Sequence, residues 1–174
     1  MPSPISLLRR SAFVLLLLVT PAHLAAQANE PARGASQATL VVQAGEEQPL
    51  ALTRDRLAAL PQATQRVTQR TGRGETTAEW SGPLLWTVLT GSGLVDPDRH
   101  GDHARLVVRV TGRDGYTVVV ALAELAPDYQ GKPILIALRR DGTDLVEGAL
   151  RLVVPGDGRA GRSVRDLARI DVIR

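Results

Sequence analysis

The sequence predicts an α+β domain, in which a mostly β mixed sheet forms the core and two or three short helices pack on it. Apolar stretches are short and end at proline or glycine, which is typical of strands. Two Asp-Gly pairs, Asp114-Gly115 and Asp141-Gly142, predict hairpin turns. Strands do not alternate regularly with long helices, so a doubly wound parallel sheet is excluded.

The first half of the chain predicts strands that alternate with two short helices. The strands are expected at 38–43, around 50–52 and at 63–71, and the helices at 54–60 and 84–90. Thr53 is placed to N-cap the first helix, and Pro83 at the first position of the second, which ends at Gly91 or Gly93. Residues 75–79 are expected to be extended or loop.

The second half predicts more strands, joined mainly by turns. They are expected at 104–111, 116–122, 133–138, 150–154 and 168–173, with a helical turn at 122–125 and a surface loop at 96–103. The run 133–138 is almost wholly apolar, which predicts a strand buried on both faces.

The N-terminus resembles a targeting segment. Arg9 and Arg10 precede an apolar run at 12–19, and Ala26-Gln27-Ala28 fits an A-x-A cleavage site. We therefore expect a signal peptide at 1–28, a flexible leader at 29–37, and one domain at 38–174. A protein so exported is periplasmic or secreted, without a stable membrane span after cleavage. The alternative is an uncleaved N-terminal anchor.

Composition removes several classes of function. The chain has no cysteine, which excludes disulfides, thiolate metal sites and cysteine nucleophiles. Without Arg9 and Arg10 the formal charge falls from +3 to about +1, too little to steer nucleic acid. Aromatic residues make up 3% of the chain, so a base-stacking platform is not expected.

Two local motifs leave alternatives open. Residues 156–161 match G-x-G-x-x-G after a strand, but the chain ends too soon for a dinucleotide-binding unit. The segment is therefore an anion-binding loop or a flexible one. His100 and His103 flank Asp102, so two imidazoles and a carboxylate could bind a metal, but no fourth ligand is evident. A polar surface loop and no metal site are therefore expected. Trp80 and Trp86 form either core packing or a pocket wall.

The motif order from Leu50 to the C-terminus resembles the oxidoreductase molybdopterin-binding domain, the sulfite-oxidase-type fold. The matching segments are Trp-Ser-Gly-Pro-Leu-Leu-Trp at 80–86, Gly-Tyr at 115–116, Ile-Leu-Ile-Ala-Leu at 134–138, Leu-Arg-Leu-Val-Val-Pro-Gly at 150–156, and Arg-Ser-Val-Arg at 162–165.

This resemblance implies roles for particular residues. Trp80, Arg151, Gly156, Arg162 and Arg165 correspond to cofactor-binding positions, with the three arginines on the pterin phosphate. Tyr116 corresponds to the tyrosine near the metal.

One departure from the family bears directly on activity. The family's molybdenum-ligating cysteine should fall at about 68–74, where this chain has Gln-Arg-Thr-Gly at 69–72. Arginine cannot replace a soft thiolate ligand. No bound cofactor is therefore expected, although the resemblance itself implies molybdopterin.

Three hypotheses of function follow. The first is a non-catalytic exported protein that binds an anionic small molecule or a periplasmic partner protein in a pocket between Trp80, Tyr116, Arg151 and the 156–165 loop. The second is an active molybdopterin-dependent oxidoreductase with a non-cysteine metal ligand. The third is a structural subunit without a ligand, which a surface apolar patch would favour.

Overall fold

The computed structural model describes residues 39–146 and 149–174. The predicted signal peptide and leader lie outside the described residues. Within the described part of the chain, no helix is long and apolar enough to cross a membrane.

Strands dominate the described chain. In order they are β1 Thr39–Ala44, β2 Leu50–Thr53, β3 Gln62–Thr71, β4 Gly74–Pro83, β5 Val107–Gly112, β6 Thr117–Ala121, β7 Leu135–Ala137, β8 Arg139–Arg140, β9 Thr143–Asp144, β10 Arg151–Val153 and β11 Leu167–Ile173. The helices are α1 Arg54–Ala58, α2 Leu85–Gly91, α3 His100–His103 and α4 Leu122–Leu125, with a 3₁₀ turn at Ala160–Arg162.

A five-stranded sheet in the order β2-β1-β11-β5-β6 carries the main core. The C-terminal strand β11 lies in its middle, parallel to β1 and antiparallel to β5. Buried side chains of this sheet pack with Leu57 of α1, Leu85 and Leu89 of α2, and Leu122 of α4. The sheet therefore joins the first and last strands of the domain around one apolar core.

A second layer is built on the long β3–β4 hairpin, which extends through β8 and β9. The short pair β7–β10 packs beside it, and a smaller core lies between them: Val67, Ala78, Trp80, Leu135, Ala137 and Val153. Gly82 allows the close approach, because a Cβ there would lie 2.1 Å from the carbonyl oxygen of Ile136.

Most elements agree with the sequence-based predictions. The fold is α+β, β7 is buried throughout, and both Asp-Gly pairs form hairpin turns. Asp141 and Gly142 have φ of 50° and 77°, the left-handed pair that a two-residue hairpin requires. The Thr53 side chain accepts a hydrogen bond from the Arg56 N–H at 3.3 Å, as expected of the N-cap of α1.

Two local predictions were wrong, at Pro83 and in the 96–103 loop. Pro83 ends β4 opposite Gln62 and does not begin α2, whose N-cap is Leu84. Residues 75–79, expected to be extended or loop, are extended, and each of them pairs with a residue of β3. The expected surface loop contains α3, and its His103 is 1% exposed because it packs edge-on against Trp86.

Candidate functional site

The candidate site lies on one face of the β3–β4 hairpin. Side chains two residues apart point to the same face of a strand, and the same-face sets of β3 and β4 are Val67, Gln69 and Thr71 together with Thr76, Ala78 and Trp80. Val67 pairs with Ala78 and Gln69 with Thr76, so the two sets form one continuous surface. On the opposite face, β3 is exposed throughout and β4 is exposed from Glu75 to Glu79.

This surface is the floor of a cavity of about 190 Å³, which we call the arginine cavity. Besides the floor residues, it is lined by Ala160 and by four arginines: Arg73, Arg140, Arg151 and Arg165. By a comparable measure a single water needs only about 10–15 Å³. The cavity can therefore hold a small molecule with several non-hydrogen atoms.

The charges around the arginine cavity are unbalanced. Its lining contains four arginines and no acidic residue. Of the four, only Arg140 forms a salt bridge among the described residues, to Asp141 at 3.3 Å. The cavity is thus a concentrated positive site in a protein whose overall charge is small.

Arg151 is the most constrained of these arginines. Its guanidinium carbon lies 4.9 Å from the centroid of the Trp80 ring, and that of Arg140 lies 5.2 Å from the same centroid. Its Nε is buried without a hydrogen-bond partner. Burial lowers the pKa of Arg151, and the neighbouring charges of Arg165 and Arg140 lower it further, while the charge of Asp166 acts in the opposite direction. An anion in the cavity would stabilise the charged form of Arg151 and so offset both its burial and the repulsion from Arg165 and Arg140.

Strand alternation explains the orientation of Arg151. Arg151 and Val153 lie two residues apart on β10, and Val153 belongs to the small core beneath Trp80. Arg151 pairs with Ala137 of β7, another member of that core. The strand therefore directs a cation onto the edge of an apolar cluster.

Gln69 stands in the segment where the resemblance expects a metal-ligating cysteine. Its Nε2 donates to the Val154 carbonyl at 3.1 Å and to the Ser163 hydroxyl at 3.1 Å. The hydroxyl in turn donates to Gln69 Oε1 at 3.2 Å. Both side chains are buried, so Gln69 connects β3 to the segment that follows β10.

The structure brings three of the six residues implied by the resemblance to the cavity, namely Trp80, Arg151 and Arg165. The other three, Tyr116, Gly156 and Arg162, are not part of its lining. The Tyr116 hydroxyl donates to the Gly161 carbonyl at 2.7 Å, and Gly156 forms a turn at φ 81°.

Arg162 belongs to a network of ion pairs that holds the 156–165 loop against α4 and Lys132. Its guanidinium donates to both carboxylate oxygens of Asp157, at 2.7 and 2.8 Å, and to Glu124 at 3.1 Å. Lys132 donates to Asp157 at 3.2 Å. The hydrogen bond to Asp157 is the main cause that raises the pKa of Arg162. These carboxylates neutralise the charge of Arg162, so this arginine holds the 156–165 loop in place and is not available to bind an anion.

A larger cavity of about 430 Å³ lies elsewhere, lined in part by Arg54, Asp55, Arg139 and Asp144. Its two arginines are both paired with Asp144, at 3.2 and 2.7 Å. Its charges are balanced, which makes the smaller arginine cavity the better candidate for an anion site.

Two arginines of the cavity were missed by sequence reasoning. Arg140 reaches Trp80 because β8 pairs with β4 at that residue, a long-range register that no local pattern encodes. Arg73 lies in the turn between β3 and β4, where the sequence Gly72-Arg73-Gly74 indicated only the end of a strand. The only local signal for the cavity was the alternation along β3, which places Val67, Gln69 and Thr71 on one face.

Comparison with solved structures supports the fold. The chain is similar to the sulfane dehydrogenase SoxCD from Paracoccus pantotrophus, with a TM-score of 0.60 and 17% sequence identity. The match covers 78% of this chain and 38% of that one, so this chain spans less than half of the SoxCD chain. No family model and no curated protein matches the sequence. The described domain therefore has an α+β fold of the sulfite-oxidase type.

Proposed function

We propose that this protein is a non-catalytic binding protein on a sulfite-oxidase-type fold, and that its arginine cavity binds an anionic small molecule. The observation that carries the proposal is that four arginines and no acidic residue line one cavity, and that the guanidinium groups of Arg140 and Arg151 both lie over Trp80. Guanidinium groups match the geometry of phosphate, sulfate and carboxylate oxygens. We further propose that the protein is exported, on the basis of its N-terminal sequence.

A molybdenum centre of the family type does not fit the residues present. Among the described residues, the side chains lining the cavity include no thiolate, imidazole or carboxylate, and the chain has no cysteine. Guanidinium groups carry no lone pair for a metal. Gln69 is already engaged by Ser163 and Val154. This donor set favours anion binding over redox catalysis.

A purely structural role has less support. The large apolar side chains exposed in the described chain are Tyr116, Val119, Tyr129 and Val146, which belong to three separate segments. Scattered exposed apolar residues are normal and do not make a docking surface.

Trp80 provides a direct test of binding. The chain has two tryptophans, so Trp86→Phe leaves Trp80 as the sole indole. Because two guanidinium groups lie over its ring, an anion that moves them changes its fluorescence. Sulfate, phosphate, sulfite and a pterin monophosphate are titrated in turn into the purified chain, and at least one is expected to saturate.

The matched variants are Arg151→Met and Arg139→Met. Each removes one positive charge and keeps a long apolar stem. Arg139 precedes Arg140 on β8 but lines the other cavity. We expect R151M to weaken binding about 10-fold or more, because it removes a hydrogen bond from a charged donor. R139M should change the affinity less than about twofold.

Three outcomes would overturn the proposal. The first is that folded protein binds none of the probes saturably, and the second is that R151M and R139M have equal effects. The third is stoichiometric molybdenum and pterin in protein purified from a host that makes the cofactor, which would favour the oxidoreductase hypothesis.

A further inference from the structure

A cluster of two histidines and an aspartate lies outside the arginine cavity. His100 and His103 are the first and last residues of α3, and Asp128 lies in the turn that follows α4. One ligand atom from each of the three lies within 4.8 Å of the others. The sequence suggested the two histidines together with Asp102, and not Asp128, which lies 25 or more positions away.

The tautomer of His103 is fixed by its surroundings. Its Nε2 lies 3.0 Å from the carbonyl oxygen of Asp96, which can only accept a hydrogen bond. Neutral His103 therefore carries its proton on Nε2 and a lone pair on Nδ1. That Nδ1 is buried and has no partner among the described residues, although His103 is only 1% exposed. A buried acceptor without a donor is unfavourable and marks a place where a ligand is missing.

We propose that His103, His100 and Asp128 bind a divalent transition metal of the Zn²⁺ type. The donors would be Nδ1 of His103, a ring nitrogen of His100 and a carboxylate oxygen of Asp128. Two imidazoles and one carboxylate suit Zn²⁺ and leave a fourth position for water. The bond from His103 Nε2 to a backbone carbonyl is the outer contact that metal-bound histidines usually make.

The geometry needs only a small adjustment. Tetrahedral zinc with bonds of about 2.0–2.1 Å places its ligand atoms about 3.4 Å apart. One ligand atom of each residue lies within 4.8 Å of the other two, so the widest separation would close by at most about 1.4 Å. His100 and Asp128 have side chains that are 61% and 59% exposed and are free to rotate. Their present contact of 2.7 Å would give way to two bonds to the metal.

The cluster is held together without a metal. The Tyr129 hydroxyl donates to the His100 carbonyl at 3.3 Å, which ties the Asp128 turn to α3. The Tyr129 and Gly131 amides both donate to the Ala126 carbonyl, which fixes the turn itself. The Trp86 ring lies edge-on to His103, with 5.2 Å between centroids. This preorganisation reduces the entropy that binding must overcome.

Zn²⁺ titration of the purified, chelator-treated chain by calorimetry tests the proposal, and Co²⁺ absorption reports the coordination. We expect one saturable site per chain and the intense visible bands of a four-coordinate Co²⁺ centre. His100→Ala and Asp128→Ala should each weaken Zn²⁺ binding about 10-fold or more. Both replace exposed side chains, so folding is retained.

Asp98→Ala is the matched control, because Asp98 is an exposed carboxylate two residues before His100. It should leave Zn²⁺ affinity unchanged. The proposal is overturned if the wild type shows no saturable binding, or if H100A and D128A bind Zn²⁺ as tightly as D98A. Zn²⁺ should also raise the Tm of the wild type and D98A but not of H100A.

Discussion

Gln69 and Ser163, 94 residues apart, form a buried pair in which each side chain donates to the other, at 3.1 and 3.2 Å. This pair attaches β3, which supplies the cavity floor, to the segment that leads to Arg165. A strand-like contact lies beside it, since the Arg70 amide donates to the Gly158 carbonyl at 3.1 Å and Arg70 forms an isolated parallel bridge with Arg159. The shape of the arginine cavity therefore depends on polar contacts made between distant parts of the chain.

Removal of the Gln69 amide should destabilise the domain. Gln69→Ala leaves the buried Ser163 hydroxyl and Val154 carbonyl without this partner, so we expect a loss of about 1–3 kcal/mol in the free energy of unfolding. Urea unfolding measures it. Thr68→Ala, which breaks only an exposed contact to Thr77, should cost less than about 0.5 kcal/mol. If the double variant Q69A/S163A costs the full sum of the single variants, the two side chains are not coupled.

Gly82 should tolerate no side chain. A Cβ at Gly82 would lie 2.1 Å from the Ile136 carbonyl oxygen, whereas one at Gly72 would meet nothing within 4 Å. Gly82→Ala must push β4 away from β7, which should cost about 3 kcal/mol. Gly72→Ala should change stability by less than about 1 kcal/mol. Thermal or urea unfolding compares the two, and equal stabilities would contradict the packing described here.

Acid should weaken the loop network. The hydrogen bond from Arg162 is the main cause that lowers the pKa of Asp157 below its usual 3.8, and Lys132 adds to it. A lowered pKa in the folded state contributes stability above the unfolded pKa, and this contribution is lost as pH falls through the folded pKa. The stability advantage of wild type over Asp157→Asn should thus be constant from about pH 7 to 5 and vanish towards pH 2.

Urea unfolding of both proteins across that range provides the measurement. Arg162→Met serves as the matched variant, since it removes the partner instead of the acid. The difference in the free energy of unfolding between wild type and R162M should shrink over the same pH range as the pH is lowered. An advantage that grows on acidification would contradict the assigned direction of the shift.

Tyr116 and Arg151 should differ in their effect on anion binding. The Tyr116 hydroxyl contacts the Gly161 carbonyl and lies outside the cavity lining. Tyr116→Phe should therefore change the affinity for the saturating anion less than about twofold and cost at most about 1 kcal/mol of stability. Trp80 fluorescence titration of Y116F beside R151M measures this. A loss in Y116F as large as in R151M would place Tyr116 in the site.

The sequence determined most of the local structure, because each signal acts within a few residues. Asp-Gly pairs specify hairpin turns through their positive φ, Thr53 caps α1, and the apolar run around Ile136 predicts a buried strand. The sequence failed at Pro83, where a proline that suits a helix start is held in β4 by pairing with Gln62. It also failed at His103, whose burial depends on Trp86 from another helix.

The composition of both candidate sites was decided by tertiary structure. The cavity combines Trp80, Arg140 and Arg151 from three strands whose pairing spans the chain, and strand register is set by long-range packing. Arg162 looked equivalent to Arg165 in sequence, but the fold gives it Asp157 and Glu124 as partners and leaves Arg165 without a salt bridge among the described residues. The sequence determined which charged groups exist, whereas the fold decided which of them are neutralised, because that depends on distances between residues remote in the chain.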